Sequence, residues 1–545
     1  MSSSAFLRAD DLAFAYRDRV VFDGLSLVAG AGTRLGLVGE NGTGKSTLLR
    51  LLAGLECPQA GQVRRGTDLG FLNQELPFPF TARVADVLED ALAEIRGAAR
   101  RLDRLTERLA DRPEDARALE EYGQALEWAQ AHDLWDADRR AKLVRIGLGL
   151  GDIDTGRTLD TLSGGQRSRL GLAALLIRQP ETLLLDEPTN HLDDEAAEFL
   201  ERHLAALPGT VVLASHDRVF LDAVCTDLLD LDPALGGPTR YGGGYSDYLA
   251  YKRAERARWA QRFTEEQAEL RELRHAVAVT ARDINHNRGP RDNAKMAYDF
   301  KTGRVQRQIS RRVRNARQRL AELERDQVRK PPAPLRFAGT LTARPRAEGP
   351  ALSLREVHVP GRIHIGRLDI GSSTRLLVTG GNGAGKSSLL AVLAGRLEPA
   401  AGTVHRRPGS RVGLLEQDVV FADPARTPRQ IVAAAGAGVL ADLGLLAPRD
   451  LDRPVGVLST GQRRRLGLAL LIADPPQVLL LDEPTNHISL GLAEELTAAL
   501  DTAPGAVVIA SHDRWLRRGW SGAHLALAEG EVAGQRPPNT TSEQV

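Results

Sequence analysis

Two segments, Gly39-Glu-Asn-Gly-Thr-Gly-Lys-Ser-Thr47 and Gly380-Gly-Asn-Gly-Ala-Gly-Lys-Ser-Ser388, share the spacing G-x-x-x-x-G-K-S. Such a loop suits phosphate chemistry. Its glycines let backbone N–H groups approach anionic oxygens, the helix that follows adds partial positive charge, and the lysine neutralises the outer phosphates. In this reading Gly39, Asn41, Gly42, Gly44, Lys45, Ser46 and Thr47 hold one nucleotide. Gly380, Asn382, Gly383, Gly385, Lys386, Ser387 and Ser388 hold a second. The hydroxyls of Ser46 and Ser387 are placed to reach Mg2+. Two further runs, Leu183-Leu-Leu-Asp-Glu-Pro and Leu479-Leu-Leu-Asp-Glu-Pro, end in paired carboxylates. Asp186 and Asp482 are the candidate metal ligands, and Glu187 and Glu483 the candidate bases that orient an attacking water, because phosphoryl transfer depends on positioning and charge stabilisation. An acidic pair ahead of proline can also simply cap a helix. His216 and His512 each follow an apolar run and repeat at an offset of 296, which favours a γ-phosphate sensor over a core histidine.

These residues need strands and helices to place them. Leu35-Gly-Leu-Val38 and Leu376-Leu-Val-Thr379 read as strands ahead of each loop, and Leu48–Leu52 and Leu389–Leu393 as helix after it. The Leu-Leu-Leu-Asp-Glu runs read as buried strands. The same motifs therefore occur twice, at offsets of 341 for the glycine loops and 296 for the rest, so the chain is an internal repeat. The first copy has 47 additional residues between Gln74 and Ser163. They fall near 82–148, where Leu102, Leu105, Leu109, Leu119 and Leu126 keep helical spacing, which predicts a helical insertion.

The order of phosphate loop, glutamine (Gln74, Gln417), Leu162-Ser-Gly-Gly-Gln-Arg167 or Leu458-Ser-Thr-Gly-Gln-Arg463, Asp-Glu-Pro-Thr-Asn-His and Ser-His-Asp resembles the ATP-binding cassette ATPases over nearly both repeats. The resemblance implies an α/β fold of two P-loop domains in tandem. In that family two cassettes pair head to tail, so Lys45 would share ATP with Ser459, Gly461 and Gln462, and Lys386 with Ser163, Gly164, Gly165 and Gln166. It also implies that Gln74 and Gln417 touch the metal and water and that Tyr16 stacks on adenine. ATP and Mg2+ are the implied cofactors, with no other metal. Three departures predict unequal sites that both hydrolyse ATP: Thr460 in place of a glycine, Ser489 where the first copy has Asp193, and no aromatic near Gly361 to match Tyr16.

The chain has 545 residues and a net charge of only +1, with 42% apolar and 4% aromatic residues, a composition that excludes wholesale disorder. Two cysteines cannot build a disulfide framework, no secretory signal is visible, and no apolar run reaches the length of a membrane span, so a cytoplasmic protein without a span is expected. The near-neutral total hides an uneven distribution. Residues 245–330 carry 22 Lys/Arg against 12 Asp/Glu, and +9 of that +10 balance lies between Arg282 and Arg319. Trp259, Phe263, Leu270, Leu273 and Val277 form one helical stripe and Val305, Ile309, Val313, Ala316, Leu320 and Leu323 another, which predicts a helical hairpin whose first helix spans Tyr245 to Asp283. The expected organisation is a first cassette at 1–244, the basic hairpin at 245–330, a connector at 331–350, a second cassette at 351–535 and a tail at 536–545.

The twin cassettes, one-sided insertion and basic hairpin resemble the ABC-F subfamily, and the segment Ile284–Gln306 together with Val313-Arg-Asn-Ala-Arg317 is similar to its antibiotic-resistance, ribosome-protection members of actinobacterial type. That resemblance implies a monomer acting on the ribosome, with rRNA and tRNA as partners near the peptidyl-transferase region, and resistance to macrolide, lincosamide or streptogramin-like drugs. The candidate RNA contacts are Arg288, Arg291, Lys295, Met296, Tyr298, Phe300, Lys301, Arg304, Arg307, Arg311 and Arg312, basic residues interleaved with aromatics that can stack on bases. A housekeeping translation factor, an ATPase subunit of an exporter with a separate membrane chain, and a non-enzymatic tether are the rival readings. The intact catalytic residues argue against the tether, and transport cassettes have no evident use for the basic hairpin.

Overall fold

A computed structural model of the chain describes residues 6–16, 19–39, 42–72, 77–231, 238–286, 314–315, 317–325, 341–345, 349–381, 383–435, 445–446, 450–485 and 490–537. It divides into two compact units, residues 1–246 with 335–545, and residues 247–334. The first unit holds both cassettes.

In the first cassette, Phe6–Tyr16 lies between Arg19–Gly30 and Ala60–Arg65 in an antiparallel sheet. Its alternation turns Leu7, Ala9, Leu12 and Phe14 inward. A six-stranded sheet follows in the order Leu69–Leu72, Thr182–Asp186, Thr210–Ala214, Arg34–Val38, Asp227–Asp230, Thr239–Gly242, parallel apart from its last pair. The central strands are buried along nearly their whole length and carry no charge between their end residues, as strands covered on both faces require. The second cassette joins the same two layers into one nine-stranded sheet, in which the single pairing His364–Glu531 bridges the antiparallel hairpin to the parallel core. In both copies the phosphate-loop strand, the carboxylate strand and the histidine strand are parallel and nearly in register, so their carboxyl ends deliver the functional groups to one edge.

The extra residues of the first copy form helices Val84–Asp111, Ala116–Ala131 and Ala137–Gly147. Leu102 and Leu105 pack on Ala125 and Ala129, with Leu126 partly buried beside them. Leu119, expected in the same stripe, is instead 59% exposed. The second helix turns its small residues Ala118, Ala125 and Ala129 inward, which brings the two backbones close and leaves Leu119 on the outer side.

His132, at the end of that helix, places Nε2 3.5 Å from Asp68 Oδ2 and Nδ1 2.9 Å from the Trp128 carbonyl. The Asp68 carboxylate raises the imidazole pKa above its usual value in spite of burial. A raised folded-state pKa stabilises the fold below the unfolded value of about 6.5, and that contribution is lost as pH rises through the folded-state value. Thermal unfolding of wild type should therefore lose more stability than His132→Gln between pH ~6 and ~8. Parallel curves would show that the pair contributes nothing.

The cassettes meet at the loops that follow His216 and His512. Arg218, 2% exposed, donates to Asp513 Oδ2 at 2.9 Å and Glu494 Oε1 at 3.1 Å. Reciprocally, Arg514 donates to Asp217 Oδ2 at 2.7 Å and forms an ion pair with Glu201 Oε1 at 2.6 Å. Asp217 and Asp513 also cap the helices that begin at these arginines, so each carboxylate serves both its own helix and the other cassette. Arg218→Ala removes a cation from a buried cluster, and the expected cost is about 3–5 kcal/mol. Thermal unfolding reads it, and Arg218→Lys should lose less.

A 42-residue helix, Tyr245–His286, begins where the spacing predicts and runs three residues past Asp283. Tyr245 is fully buried, edge-on to Trp515 at 5.5 Å, and the Ser246 N–H and Oγ donate to Asp222 at 2.7 and 2.9 Å. Within the second unit, Leu270 is buried, Trp259, Phe263, Leu273 and Val277 are half-buried, and Arg274–Glu324 and Arg319–Glu269 ion pairs at 2.8 and 3.0 Å tie the helix to helical backbone at 317–325. All eleven RNA-contact candidates, from Arg288 to Arg312, lie outside the described residues. No described helix is long and apolar enough to cross a membrane.

Candidate active sites

Each phosphate loop joins its strand to a short helix, Lys45–Ala53 or Lys386–Ala394, whose N-terminus has no side-chain cap. The first N–H groups are thus left to an anion. Gly385 begins the second helix at φ 93°, and a Cβ there would lie 2.5 Å from Ile363 Cγ2 and 2.7 Å from the Arg362 carbonyl. Gly44 is constrained in the same way, with Val21 Cγ1 at 2.5 Å. Lys45 Nζ donates to the Gly39 carbonyl at 2.9 Å, and Lys386 Nζ to those of Gly380 and Gly381 at 2.8 and 3.1 Å, which holds both ammonium groups over their own loops.

A cavity of about 270 Å³ surrounds the second loop. Lys386, Ser387, Ser388, Gln417, Asp482, Glu483 and His512 line it, as the sequence motifs require, and so do Gly361 and Arg362. Asp482 is 5% exposed and its Oδ1 has no hydrogen-bond partner. Burial raises its pKa, opposed by a hydrogen bond with Ser387. A buried, unpartnered carboxylate oxygen beside a serine hydroxyl and the Gln417 amide is a donor set that suits Mg2+.

Glu187 and Glu483 both adopt left-handed backbone, φ 49° and 48°. A non-glycine residue there stores about 1–3 kcal/mol of strain and persists only where its surroundings impose it. Here each N–H donates at 2.8 Å to the histidine strand, to Ala214 or Ala510. The two carboxylates differ in their partners. Glu483 accepts from the Ser511 hydroxyl at 3.1 Å and the His512 N–H at 3.2 Å, and its Oε1 lies 2.8 Å from His512 Nδ1, which raises the imidazole pKa. Glu187 Oε2 accepts from the His216 N–H at 3.2 Å, but its Oε1 is 3.4 Å from His216 Nε2, and Ser215 pairs with Thr189 instead. Burial pushes the Glu187 carboxyl up to about 7, against the pull of Lys45.

The serine-glycine motifs form capping boxes. Ser163 Oγ accepts from Gln166 N–H at 3.2 Å while Gln166 Oε1 accepts from Ser163 N–H at 2.9 Å, and Ser459 and Gln462 repeat this at 3.2 and 2.8 Å. Gly164 or Thr460 opens the helix, and Gly165 and Gly461 follow within its first turn. None of Ser163, Gly164, Gly165 and Gln166 lines the cavity at Lys386, which is built from the second cassette alone. Tyr16 stands edge-on to Phe14 at 4.9 Å and donates to Glu56 at 2.8 Å, and the residue is 44% exposed. Ser46, Thr47 and Asp186 stand at the carboxyl edge of the first sheet as Ser387, Ser388 and Asp482 do in the second. Asn41, Asn382, Gln74 and Ser489 lie outside the described residues.

Two arginines escaped the motif reading. Arg19 Nη2 donates to the Gly42 carbonyl at 2.6 Å, and Arg362 lines the second cavity. Arg19 opens the second strand of the first cassette's first hairpin, and Arg362 lies in the turn of the corresponding hairpin of the second. Only that shared position, a cation beside the Tyr16 or Gly361 turn, could have signalled them.

The family model described as "ABC transporter" matches residues 22–190 and 364–486. Tylosin resistance ATP-binding protein TlrC of Streptomyces fradiae is 44% identical over 98% of this chain and 100% of its own length. Energy-dependent translational throttle protein EttA of Mycobacterium tuberculosis is 31% identical, covering 92% of this chain and 87% of that protein. A solved complex of archaeal ribosomal stalk protein aP1 with archaeal ribosome recycling factor aABCE1 has the same fold, with TM-score 0.59 and 17% identity over 97% of this chain and 90% of that one. Two phosphate loops, each with an Asp-Glu pair and a histidine beside it, and a full-length likeness to these relatives make the chain an ATPase, and it belongs to the ABC-F subfamily of the ATP-binding cassette proteins.

Proposed function

We propose that this ATPase acts on the ribosome, using ATP binding and hydrolysis to insert and withdraw its basic linker near the tRNA and peptidyl-transferase region, and that it thereby confers resistance to a ribosome-targeting drug of the macrolide, lincosamide or streptogramin-like classes. The observation that carries the reading is the 44% identity to a tylosin resistance protein over 98% of the chain, linker included. The +9 balance between Arg282 and Arg319 supports an RNA partner. In this reading the protein is a cytoplasmic monomer whose two cassettes pair within one chain.

At each site Lys45 or Lys386 and the loop N–H groups bind the phosphates, and Glu187 or Glu483 orients water with His216 or His512 beside it. The Ser163 and Ser459 motifs complete the opposite site when the cassettes close. Ser46, Gln74 and Asp186, or Ser387, Gln417 and Asp482, would hold Mg2+, which neutralises phosphate charge when bound.

The likeness to EttA favours a second reading, a translation factor with no role in drug protection. Expression in a drug-sensitive host separates them. The first expects at least a several-fold rise in minimum inhibitory concentration for one drug class, abolished by Lys45→Ala with Lys386→Ala. Ribosome co-sedimentation without any such rise leaves the second reading standing. Recovery in membranes rather than with ribosomes would overturn both.

A further inference from the structure

The helix Thr460–Ala473 carries Arg464 in its second turn, with the side chain only 1% exposed. Arg464 Nη2 donates to the backbone carbonyls of both Asp482 and Glu483. These carbonyls flank the Glu483 Cα and belong to the peptide planes whose orientation sets the 48° φ. A guanidinium presents several donors in a rigid plane and can hold two carbonyls at once, which a single hydroxyl cannot. Burying such a cation is costly unless it is paired and hydrogen-bonded, so its place beneath the catalytic turn calls for a specific compensating contact. The carbonyl pair supplies that contact, and the charges of Asp482, Glu483 and Asp418 add to it.

The first cassette is built differently here. At the 296 offset Arg464 corresponds to Ser168. The first turn reaches the same backbone conformation at Glu187, whose carbonyl accepts from the Asn190 N–H at 3.1 Å.

We propose that Arg464 is a positioning residue for the second ATP site alone, fixing the aim of the Glu483 carboxylate by holding both carbonyls of its strained turn. It touches neither nucleotide nor water and acts through Glu483, so this inference rests on reading Glu483 as the water-orienting base. It also ties that aim to the helix opened by Ser459, so a shift of the helix displaces the base.

The test uses the full-length chain in two backgrounds. Glu187→Gln leaves turnover to the second site, and Glu483→Gln leaves it to the first. Adding Arg464→Met to Glu187→Gln should lower kcat about 10- to 100-fold, the range for a misaimed catalytic group. KM for ATP should stay within about twofold, because the phosphate loop is unchanged. Arg464→Lys, which keeps a cation with three donors, should restore part of kcat. In the Glu483→Gln background Arg464→Met should change turnover by less than about twofold. An equal kcat loss in both backgrounds would mean a general contribution to the fold and overturns the proposal, as does an unchanged kcat in Glu187→Gln. If Arg464→Met does not fold, Arg464→Lys is read the same way: a loss confined to Glu187→Gln supports the proposal, and parental activity in both backgrounds overturns it. Turnover that survives Glu187→Gln with Glu483→Gln would instead overturn the base assignment beneath it.

Discussion

Replacing both Glu187 and Glu483 with Gln should lower ATP turnover by about 10²- to 10⁴-fold, the usual contribution of a positioned base. ATP binding should persist. The substitution keeps the side-chain length and leaves Lys45, Lys386 and the loop amides intact, while an amide cannot accept the water's proton. The strained backbone at both positions explains why such small changes matter. Left-handed φ values of 49° and 48° aim each carboxylate where an ordinary strand end would not. If closure requires ATP at both sites, the double variant stays closed and accumulates on ribosomes. Steady-state phosphate release and equilibrium nucleotide binding check the first half, and co-sedimentation the second. Turnover equal to wild type would remove both glutamates from the mechanism.

Replacing Arg304, Arg307, Arg311 and Arg312 with Ala should produce the largest change in ribosome affinity. Each phosphate contact that is lost removes somewhat under one unit of log–log salt slope, so four together should flatten it by about 3 units. The deficit should therefore be greatest at low salt and shrink as salt rises, while ribosome-free ATPase persists. Co-sedimentation over a salt series measures the slope for wild type and variant. Identical affinity and slope would reduce the basic segment to a spacer, since charged helix faces are often merely solvated. Single changes at Met296 or Tyr298 should affect drug protection more than binding, because summed charge sets docking whereas local contacts reshape a drug pocket.

Motifs that encode local chemistry were legible without coordinates. Glycine at 44 and 385, lysine at 45 and 386 and acid at 186, 187, 482 and 483 are residue types that their backbone geometry or their reaction demands, so identity and spacing sufficed. The linker helix could be read from its stripe, and its first residue, Tyr245, is where the structure begins it. Leu119 shows the limit of periodicity. The helix on which it lies is real, yet close packing of alanines chose a neighbouring face and left it exposed.

By itself, then, the sequence determined the repeat, the strands that end in functional groups, the nucleotide chemistry and the uneven charge, all of which depend on short-range spacing. Only tertiary structure decided the rest. The reciprocal pairs of Arg218 with Asp513 and Arg514 with Asp217 join residues nearly 300 positions apart. Arg464 reads as one more basic residue after a serine-glycine motif until the carboxylate turn is seen lying across it. Arg19 and Arg362 reach their phosphate loops because a hairpin folds over them. The contacts of Arg218, Arg514 and Arg464 follow from burial and from the need to partner buried charge, and those are set by which surfaces meet once the sheets have packed.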